Sequence, residues 1–182
     1  MTVLRPARTG DEEQLVGLIA DLAAYEREPD AATASPADLA AALFPRDGTP
    51  RVFAEVADHD GHLVGMAVWF YTFSTWTARH GIWLEDLFVV PDHRGHGLGG
   101  RLLSRLAHRC LGEGLTRLEW AVLDWNEPAL GFYQRQGAEA MSEWTTHRVS
   151  GAALRRLAEV GVSGAPPSHL VEDREGTLHA RR

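Results

Sequence analysis

The sequence predicts an α/β (α+β) protein with a central mixed, mostly antiparallel, twisted sheet of about seven strands and helices on both faces. Two observations support this fold class. β-rich runs and helical stripes follow one another in the order β-α-α-β-β-β-α-β-α-β-α, which is typical of a sheet covered by helices. In addition, the β-rich runs at residues 51–58 and 62–73 are joined by His59-Asp60-Gly61, which predicts an antiparallel hairpin.

The first part of the chain predicts one strand and two helices. Residues 2–7 form a short β-rich run. Residues 10–28 carry apolar side chains at helical spacing, with acidic residues in the first turn, and therefore predict a helix. A second helix over residues 35–44 is expected because Ser35 suits the N-cap and Pro36 suits the first helical position.

The second part of the chain predicts three strands that alternate with three helices. A helix is expected from Gly97 to Gly112 or Gly114, since its apolar residues recur at helical spacing. Another begins after Asn126, a good N-cap, and ends at Gly137. The remaining predicted elements are strands over residues 81–90, 116–123 and 143–149 and a helix over residues 151–160.

Length and composition indicate one domain over residues 1–160 and a polar C-terminal tail over residues 161–182. The net charge of −7 disfavours nucleic acid as a partner. No apolar run approaches the length of a membrane span, so no membrane partner is expected. Cys110 is the single cysteine and cannot form an internal disulfide, which favours a cytoplasmic protein.

Four glycines within six positions, Gly95, Gly97, Gly99 and Gly100, separate a predicted strand from a predicted helix. They match part of a P-loop, but Arg101 and Leu102 stand where that motif needs lysine and a hydroxyl. They also match the dinucleotide pattern G-x-G-x-x-G. However, four residues separate the strand from the first glycine, and too little chain remains for that fold.

A third interpretation is the pattern R-x-x-G-x-[GA], formed by Arg94, Gly97 and Gly99. In this position the backbone N–H groups and the positive end of the helix point at one anion, and a pyrophosphate fits well. A glycine-rich loop with a purely structural role remains the alternative.

The stretches "WLEDLFVVPDHRGHGLGGRLL" and "LDWNEPALGFYQRQGA" resemble the GNAT superfamily of N-acetyltransferases, and within it the diamine (spermidine/spermine) branch. "LRPA", "AAYE" and "FYTFSTW" extend the resemblance, which covers roughly residues 2–158. It implies a GNAT-like fold and acetyl-CoA as co-substrate. It also implies acetyl transfer to a primary amine of a small cationic substrate, by direct attack in a ternary complex. A homodimer, formed through the strand after Met141, is a further implication.

The resemblance implies a set of cofactor-binding residues beyond the glycine turn. The backbone of one strand would pair with the pantetheine arm, and the Asn–Glu–Pro segment would lie beside the cofactor. The expected residues are Leu87, Phe88, Val89, Arg94, Gly95, His96, Gly97, Leu98, Gly99, Gly100, Asn126, Glu127, Pro128, Ala129 and Tyr133.

Two residues are expected to move protons. Tyr133 matches the position of the family's general acid, which protonates the leaving thiolate. Glu85 lies in an otherwise apolar strand and is expected to be the base, or a relay to it, because an alkyl ammonium must lose a proton before it attacks. The expected substrate-binding residues are Tyr25, Glu26, Trp76, Glu85, Asp86, Glu119 and Trp120.

The amine itself is left open by the sequence. Ser74 stands where the diamine branch carries an acid, so a diamine, a polyamine and a lysine-like amino acid all remain candidates. An acetyltransferase acting on a protein or peptide amine and a non-catalytic acetyl-CoA-binding module are the alternative functions. Nine histidines form no metal-binding motif, and no metal is expected.

Overall fold

The chain divides into two compact units, Met1–Ala138 and Glu139–Arg182, in a computed structural model that describes residues 1–159, 170–172 and 178–180. The predicted tail over residues 161–182 lies mostly outside the described residues. It remains a prediction, as does the domain boundary at residue 160. In the described ranges, no helix is long and apolar enough to cross a membrane.

The first unit is built on one sheet of five strands. They follow chain order across the sheet: β1 (Thr2–Pro6), β2 (Phe53–His59), β3 (His62–Ser74), β4 (Arg79–Val89) and β5 (Leu118–Trp120). The pairs from β1 to β4 are antiparallel, and the pair of β4 and β5 is parallel. The sheet is therefore mixed and mostly antiparallel, as the sequence predicts.

The predicted hairpin of β2 and β3 is confirmed. Asp60 and Gly61 have φ angles of 52° and 89°, and His59 pairs with His62 on either side of them. Tight two-residue turns of this kind require positive φ at both central positions, which Asp and Gly tolerate best.

The expectation of about seven strands is wrong for this sheet, which has five. The predicted strand over residues 143–149 does not form, and its apolar residues Trp144 and Val149 are exposed. A strand needs a neighbour for its backbone hydrogen bonds, and β-forming residues alone do not provide one. In the second unit, β6 (Leu170–Glu172) and β7 (Leu178–Ala180) form a separate antiparallel pair.

The helices of the first unit are α1 (Glu12–Tyr25), α2 (Pro36–Leu43), α3 (Leu98–Glu113) and α4 (Glu127–Arg135), and the second unit contains α5 (Gly151–Glu159). Local signals set their ends. Ser35 and Asp38 form a capping box at α2, and the Asn126 side chain accepts from the Ala129 N–H at α4. Gly114 ends α3 in the left-handed conformation.

Helices cover both faces of the five-stranded sheet. On one face, Leu15 and Leu18 of α1 and Leu43 of α2 pack on a cluster that includes Met66 and Phe88. On the other face, Leu102, Leu103 and Leu106 of α3 pack on a cluster that also holds Phe132 and Tyr133 of α4. The sheet is therefore held between two apolar layers, and both layers reach β4.

Candidate active site

The pairing of β4 and β5 is short and opens into a cavity. β5 pairs with β4 at Ile82, Trp83 and Leu84 only, whereas β4 continues to Val89. A cavity of about 410 Å³ lies against the part of β4 that follows. Residues 86–89 pair with β3 on one side, so their other edge is available to an extended ligand that adds as a strand would.

The cavity draws its walls from several elements. α1, the end of β4, the glycine turn, the start of α3, the segment after β5 and α4 all contribute. The lining residues are Leu22, Tyr25, Glu26, Leu84, Glu85, Asp86, Leu87, Phe88, Val89, His93, Arg94, Gly95, Gly97, Leu98, Gly99, Gly100, Trp120, Ala121, Val122, Asn126, Pro128, Ala129, Phe132, Tyr133 and Arg135.

A β-bulge in β4 sets the direction of its two acidic residues. Leu84 pairs with Trp69 and Asp86 pairs with Val68, so Glu85 is an extra residue between them. Val68 packs in the cluster beneath α1, whereas Leu84 packs in the cluster on the α3 side. Strand residues two apart normally share a face. The bulge turns Asp86 to the α1 side and lets Glu85 and Asp86 both line the cavity.

Three carboxylates share this cavity: Glu26 at the end of α1, and Glu85 and Asp86 on β4. Burial raises the pKa of Asp86 to about 6, and the negative charges of Glu85 and Glu26 contribute to the rise. Burial also raises the pKa of Glu26. Glu85 is exposed, and its Oε2 accepts a hydrogen bond of 2.9 Å from the Trp83 indole. Like charges brought together in this way favour a cationic ligand.

Tyr133 lies on α4 and lines the same cavity. Its ring packs against Trp120, with the centroids 4.7 Å apart. Burial raises the pKa of Tyr133 to about 12, and the charge of Glu26 adds to the effect. The phenol therefore keeps its proton at neutral pH and is available as a proton donor. The charge of Glu26 contributes to the raised pKa of both Tyr133 and Asp86, so all three groups share one electrostatic environment.

The glycine turn provides a cradle of backbone donors. Gly95 and Gly97 have φ angles of 78° and 73°, which residues other than glycine rarely adopt. Gly97 is the N-cap of α3, a helix of 16 residues, and no side chain caps it. The first N–H groups of α3 are therefore left for another acceptor. The arrangement fits a phosphate or pyrophosphate group.

Arg94 lies along the cavity wall. Its Nε donates a hydrogen bond of 2.8 Å to the Val89 carbonyl oxygen. Its guanidinium carbon lies 5.1 Å from the centre of the Tyr25 ring and 5.4 Å from that of Phe88. Because guanidinium has five N–H donors, the remaining donors are available to an anion beside the turn.

A second cleft, of about 630 Å³, lies between β1 and the first turns of α3. Its walls are residues 1–4 together with Gly97, Gly100, Arg101, Ser104 and Arg105. This lining contains neither a carboxylate side chain nor a phenol. The carboxylates and the phenol described above line the cavity beside β4 instead.

A family model described as "Acetyltransferase (GNAT) family" matches residues 15–138. That range contains every residue that lines the cavity. The chain belongs to the GNAT acetyltransferase family. It is therefore an acyltransferase enzyme, and acetyl-CoA is the co-substrate of this family. The uncapped start of α3 and the free edge of β4 fit the pyrophosphate and the extended arm of that molecule.

Individual relatives agree with the family. The chain is 35% identical to thialysine N-epsilon-acetyltransferase of Bos taurus, over 86% of this chain and 96% of that protein. It is 32% identical to spermidine/spermine N(1)-acetyltransferase-like protein 1 of Homo sapiens, over 85% of this chain and 23% of that protein. An integron cassette protein from the mobile metagenome of V. cholerae has a similar solved structure. The TM-score is 0.73 at 28% identity, covering 87% of this chain and 98% of that one.

Four of the predicted site residues do not line the GNAT cavity. Trp76 lies in the turn between β3 and β4 and is 88% exposed. Glu119 precedes the cavity-lining Trp120, so the alternation of the strand turns it away, and its Oε2 lies 2.8 Å from Arg117 Nε. His96 and Glu127 are exposed, although the residues directly before and after each of them line the cavity. The other predicted residues all line the cavity, and their roles remain proposals.

The cavity also contains residues that the sequence interpretation did not single out for the site: Leu22, Leu84, His93, Ala121, Val122, Phe132 and Arg135. His93 is next to Arg94, and Arg135 lies two residues after Tyr133, so chain proximity was the available signal. Ala121 and Val122 become lining residues because β5 ends at Trp120, earlier than the β-rich pattern of residues 116–123 indicates. Among the described residues, no group of three or more His, Cys, Asp or Glu is placed to hold a metal.

Proposed function

We propose that this enzyme transfers the acetyl group of acetyl-CoA to a primary amine of a small cationic substrate, by direct attack in a ternary complex. The substrate class comprises diamines, polyamines and lysine-like amino acids. One observation carries the proposal. A single cavity is lined by a phosphate cradle, by the free edge of β4, by Tyr133 and by three carboxylates.

Two parts of the cavity account for the binding of acetyl-CoA. The N–H groups at Gly97 to Gly100 and the end of the α3 dipole favour the pyrophosphate. Leu87, Phe88 and Val89 offer backbone groups to the pantetheine arm. A backbone N–H beside the reacting carbonyl stabilises negative charge as it develops there, which is often a large catalytic effect.

Glu26, Glu85 and Asp86 account for the preference for a cation. An amine with a second charge can place its distal ammonium near one acid while its reacting nitrogen lies near another. Trp120 and Tyr25 also line the cavity and offer rings to an alkyl chain or a cation. The relatives named for thialysine and for spermidine/spermine support this substrate class.

Proton transfer completes the proposed reaction. Tyr133 donates its phenolic proton to the sulfur as the carbon–sulfur bond breaks. A carboxylate of β4 takes a proton from the substrate ammonium, and Glu85 is on this base side because it lines the cavity and reaches solvent. The raised pKa of Tyr133 keeps the phenol protonated near neutral pH, as the role of acid requires.

Thiol release from acetyl-CoA over a panel of amines tests this function. The panel contains diamines, spermidine, thialysine, ornithine, lysine and a lysine-containing peptide, with an uncharged primary alcohol as the negative control. We expect release with at least one amine and mass-spectrometric detection of its acetyl product. Release only with a peptide amine would instead favour a protein or peptide acetyltransferase. Tight acetyl-CoA binding without release for any amine would favour a non-catalytic module.

We also propose, from the family resemblance, that the enzyme is a homodimer and is cytoplasmic. Light scattering at several concentrations tests the first point, and a mass of one chain at all of them would contradict it. Fractionation of the source cells tests the second point.

A further inference from the structure

We propose that Arg27 is a positioning residue that sets substrate specificity. With Trp125 it forms a latch, which holds Glu26 where the distal ammonium of a doubly charged amine can pair with it. Neither Arg27 nor Trp125 is one of the described residues that line the cavity. The inference rests on the proposed acetyl transfer to a cationic amine and adds to it a determinant that lies outside the cavity.

The first argument is the backbone conformation of Arg27 at the end of α1. The Arg27 N–H donates to the Ala24 carbonyl oxygen at 3.2 Å. The next N–H, of Glu28, donates to the Ala23 carbonyl oxygen at 2.9 Å. This pair of hydrogen bonds ends many helices, and the left-handed position within it is usually glycine. Here that position is an arginine with a φ of 68°, a conformation that is unfavourable for a residue with a Cβ.

The second argument is the contact that the Arg27 side chain makes. Its guanidinium carbon lies 4.3 Å from the centre of the Trp125 ring, which is within the range of a cation–π contact. Glycine would form the same turn without strain but would lose this contact. Strained backbone of this kind persists where the surrounding structure enforces it, and it is frequent at functional sites. The strain at Arg27 is therefore explained by a role that needs the guanidinium on Trp125.

The third argument is the position of Glu26 between two anchored neighbours. The Tyr25 hydroxyl donates to Asn126 Oδ1 at 3.0 Å, and the Arg27 guanidinium covers Trp125. Glu26 lines the cavity, but in the described part of the chain its carboxylate makes neither a hydrogen bond nor an ion pair. Its location is therefore set by the backbone that its two neighbours fix.

A row of rings and cations connects the latch to the cofactor side of the cavity. The ring centroids of Trp125 and Tyr25 lie 6.3 Å apart, and the guanidinium carbon of Arg94 lies 5.1 Å from the centre of the Tyr25 ring. Arg94 lies on the wall beside the glycine turn. Glu26 is thus held at a set distance from the cofactor, and an acid held in this way selects an amine whose second charge lies at a matching distance.

The kinetic experiment compares a diamine with the monoamine of the same carbon chain, in wild type, Arg27→Gly and Arg27→Lys. Arg27→Gly suits the left-handed backbone and removes the guanidinium. We expect the ratio of kcat/KM for the diamine to that for the monoamine to fall by about three- to tenfold, a factor that the loss of one cation–π contact can produce. The change should lie in KM for the diamine, with kcat nearly unchanged. Arg27→Lys keeps a cation and should restore part of the ratio.

The sign of this change separates a latch from a simple effect of charge. Arg27 is a cation, so its removal would by charge alone favour cationic amines, and the diamine most. An unchanged or raised ratio in Arg27→Gly therefore overturns the proposal. Trp125→Leu leaves the charge unchanged and should lower the ratio as Arg27→Gly does, while the double variant should lower it no further. Additive reductions in the double variant would also overturn it.

Thermal unfolding tests the latch without acetyl transfer. In wild type, Arg27→Gly relieves strain but loses the contact, so Tm should change little. In the Trp125→Leu background only the relief of strain remains, and Arg27→Gly should raise Tm. Ala78→Gly is the matched control, because Ala78 has a φ of 51° in the turn between β3 and β4 and should raise Tm equally in both backgrounds. Equal rises from Arg27→Gly in both backgrounds overturn the latch.

Failure of the proposed function gives a different result. If no amine of the panel is acetylated, acetyl transfer to a small amine is wrong, and calorimetric titration with the same diamine and monoamine replaces kcat/KM. A ratio of affinities that falls in Arg27→Gly and in Trp125→Leu still supports the latch, and a ratio that does not fall overturns it.

Discussion

The Tyr25 hydroxyl donates a hydrogen bond of 3.0 Å to Asn126 Oδ1 and thereby joins the end of α1 to the first turn of α4. The same Asn126 oxygen accepts from the Ala129 N–H at 3.3 Å. Beside this pair, the Arg27 guanidinium carbon lies 4.3 Å from the centre of the Trp125 ring. Two side-chain contacts therefore connect the segment that carries Glu26 to the helix that carries Tyr133.

Tyr25→Phe is the first prediction. The variant removes the hydroxyl but keeps the ring, so we expect a loss of about 1 kcal/mol in the free energy of unfolding. Asn126→Ala should lose more, about 1–2 kcal/mol, because α4 also loses its N-cap. Denaturant unfolding of both single variants and of the double variant measures the effect. The double variant should lose less than the sum, since the two residues share one bond. Fully additive losses would contradict the coupling of α1 to α4.

Tyr133→Phe is the second prediction, and it tests the acid. The phenylalanine ring can keep the packing on Trp120, so coenzyme A should bind to within a few-fold of wild type. We expect kcat to fall by about 10²- to 10⁴-fold because the leaving sulfur loses its proton donor. Tyr71→Phe is the matched control, since the Tyr71 hydroxyl donates to Glu113 outside the cavity. Undiminished kcat in Tyr133→Phe removes the acid assignment.

Asp86→Asn gives the third prediction, which concerns stability and not rate. The pKa of Asp86 is about 6 in the folded protein and about 3.9 in an unfolded chain. The folded state therefore prefers the protonated acid, and the contribution of Asp86 to stability is lost as pH rises through about 6. At pH 8 the variant should be more stable than wild type by about 2–3 kcal/mol. At pH 4 and below the difference should shrink toward zero.

The control for this prediction is Asp11→Asn, which should change stability in the opposite direction. Burial acts to raise the pKa of Asp11, but hydrogen bonds from the Arg5 side chain and the Arg8 backbone outweigh it and lower the pKa. Arg5 Nη1 lies 2.6 Å from Asp11 Oδ2. The variant should therefore lose stability above pH 4. Thermal unfolding at several pH values measures both variants, and equal shifts in the two would refute the argument from charge environment.

Most of the fold could be predicted from the sequence because its signals are local. Ser35, Asn126, Gly97 and Gly114 mark helix ends through their own side chains or backbone freedom, and the structure places helix ends at all four. The strand over residues 143–149 could not be judged in this way. Pairing depends on a distant neighbour, and the composition of the segment does not reveal whether one is present.

Local signals also predicted most residues of the site, but they did not predict the strand register that directs Glu85 and Asp86. Adjacent residues such as Glu85 and Asp86 point to opposite faces of a regular strand, and the bulge that overrides this rule arises from pairing between Val68 and Asp86. No residue type within β4 predicts this bulge from the sequence. Trp76 shows the converse limit: its type suits a substrate wall, but its position in the turn between β3 and β4 keeps it off the lining of the cavity.

Gly97→Ala is the fourth prediction, and it tests whether the left-handed turn at the start of α3 binds the phosphates of coenzyme A. The φ of Gly97 is 73°, and a Cβ there would meet nothing within 4 Å, so the expected cost of about 1–2 kcal/mol comes from the left-handed backbone and not from a clash. The turn should relax away from this conformation and weaken coenzyme A binding by about tenfold, since 1.4 kcal/mol corresponds to that factor.

Gly112→Ala is the matched control for Gly97→Ala, because Gly112 lies in the same α3 helix, its Cβ would also meet nothing within 4 Å, and its φ is not positive. Alanine should stabilise the helix there by about 0.5–1 kcal/mol and leave coenzyme A binding unchanged. Calorimetric titration with coenzyme A and thermal unfolding give both quantities for both variants. If Gly97→Ala binds coenzyme A as tightly as Gly112→Ala does, then the left-handed turn at the start of α3 is not the phosphate cradle.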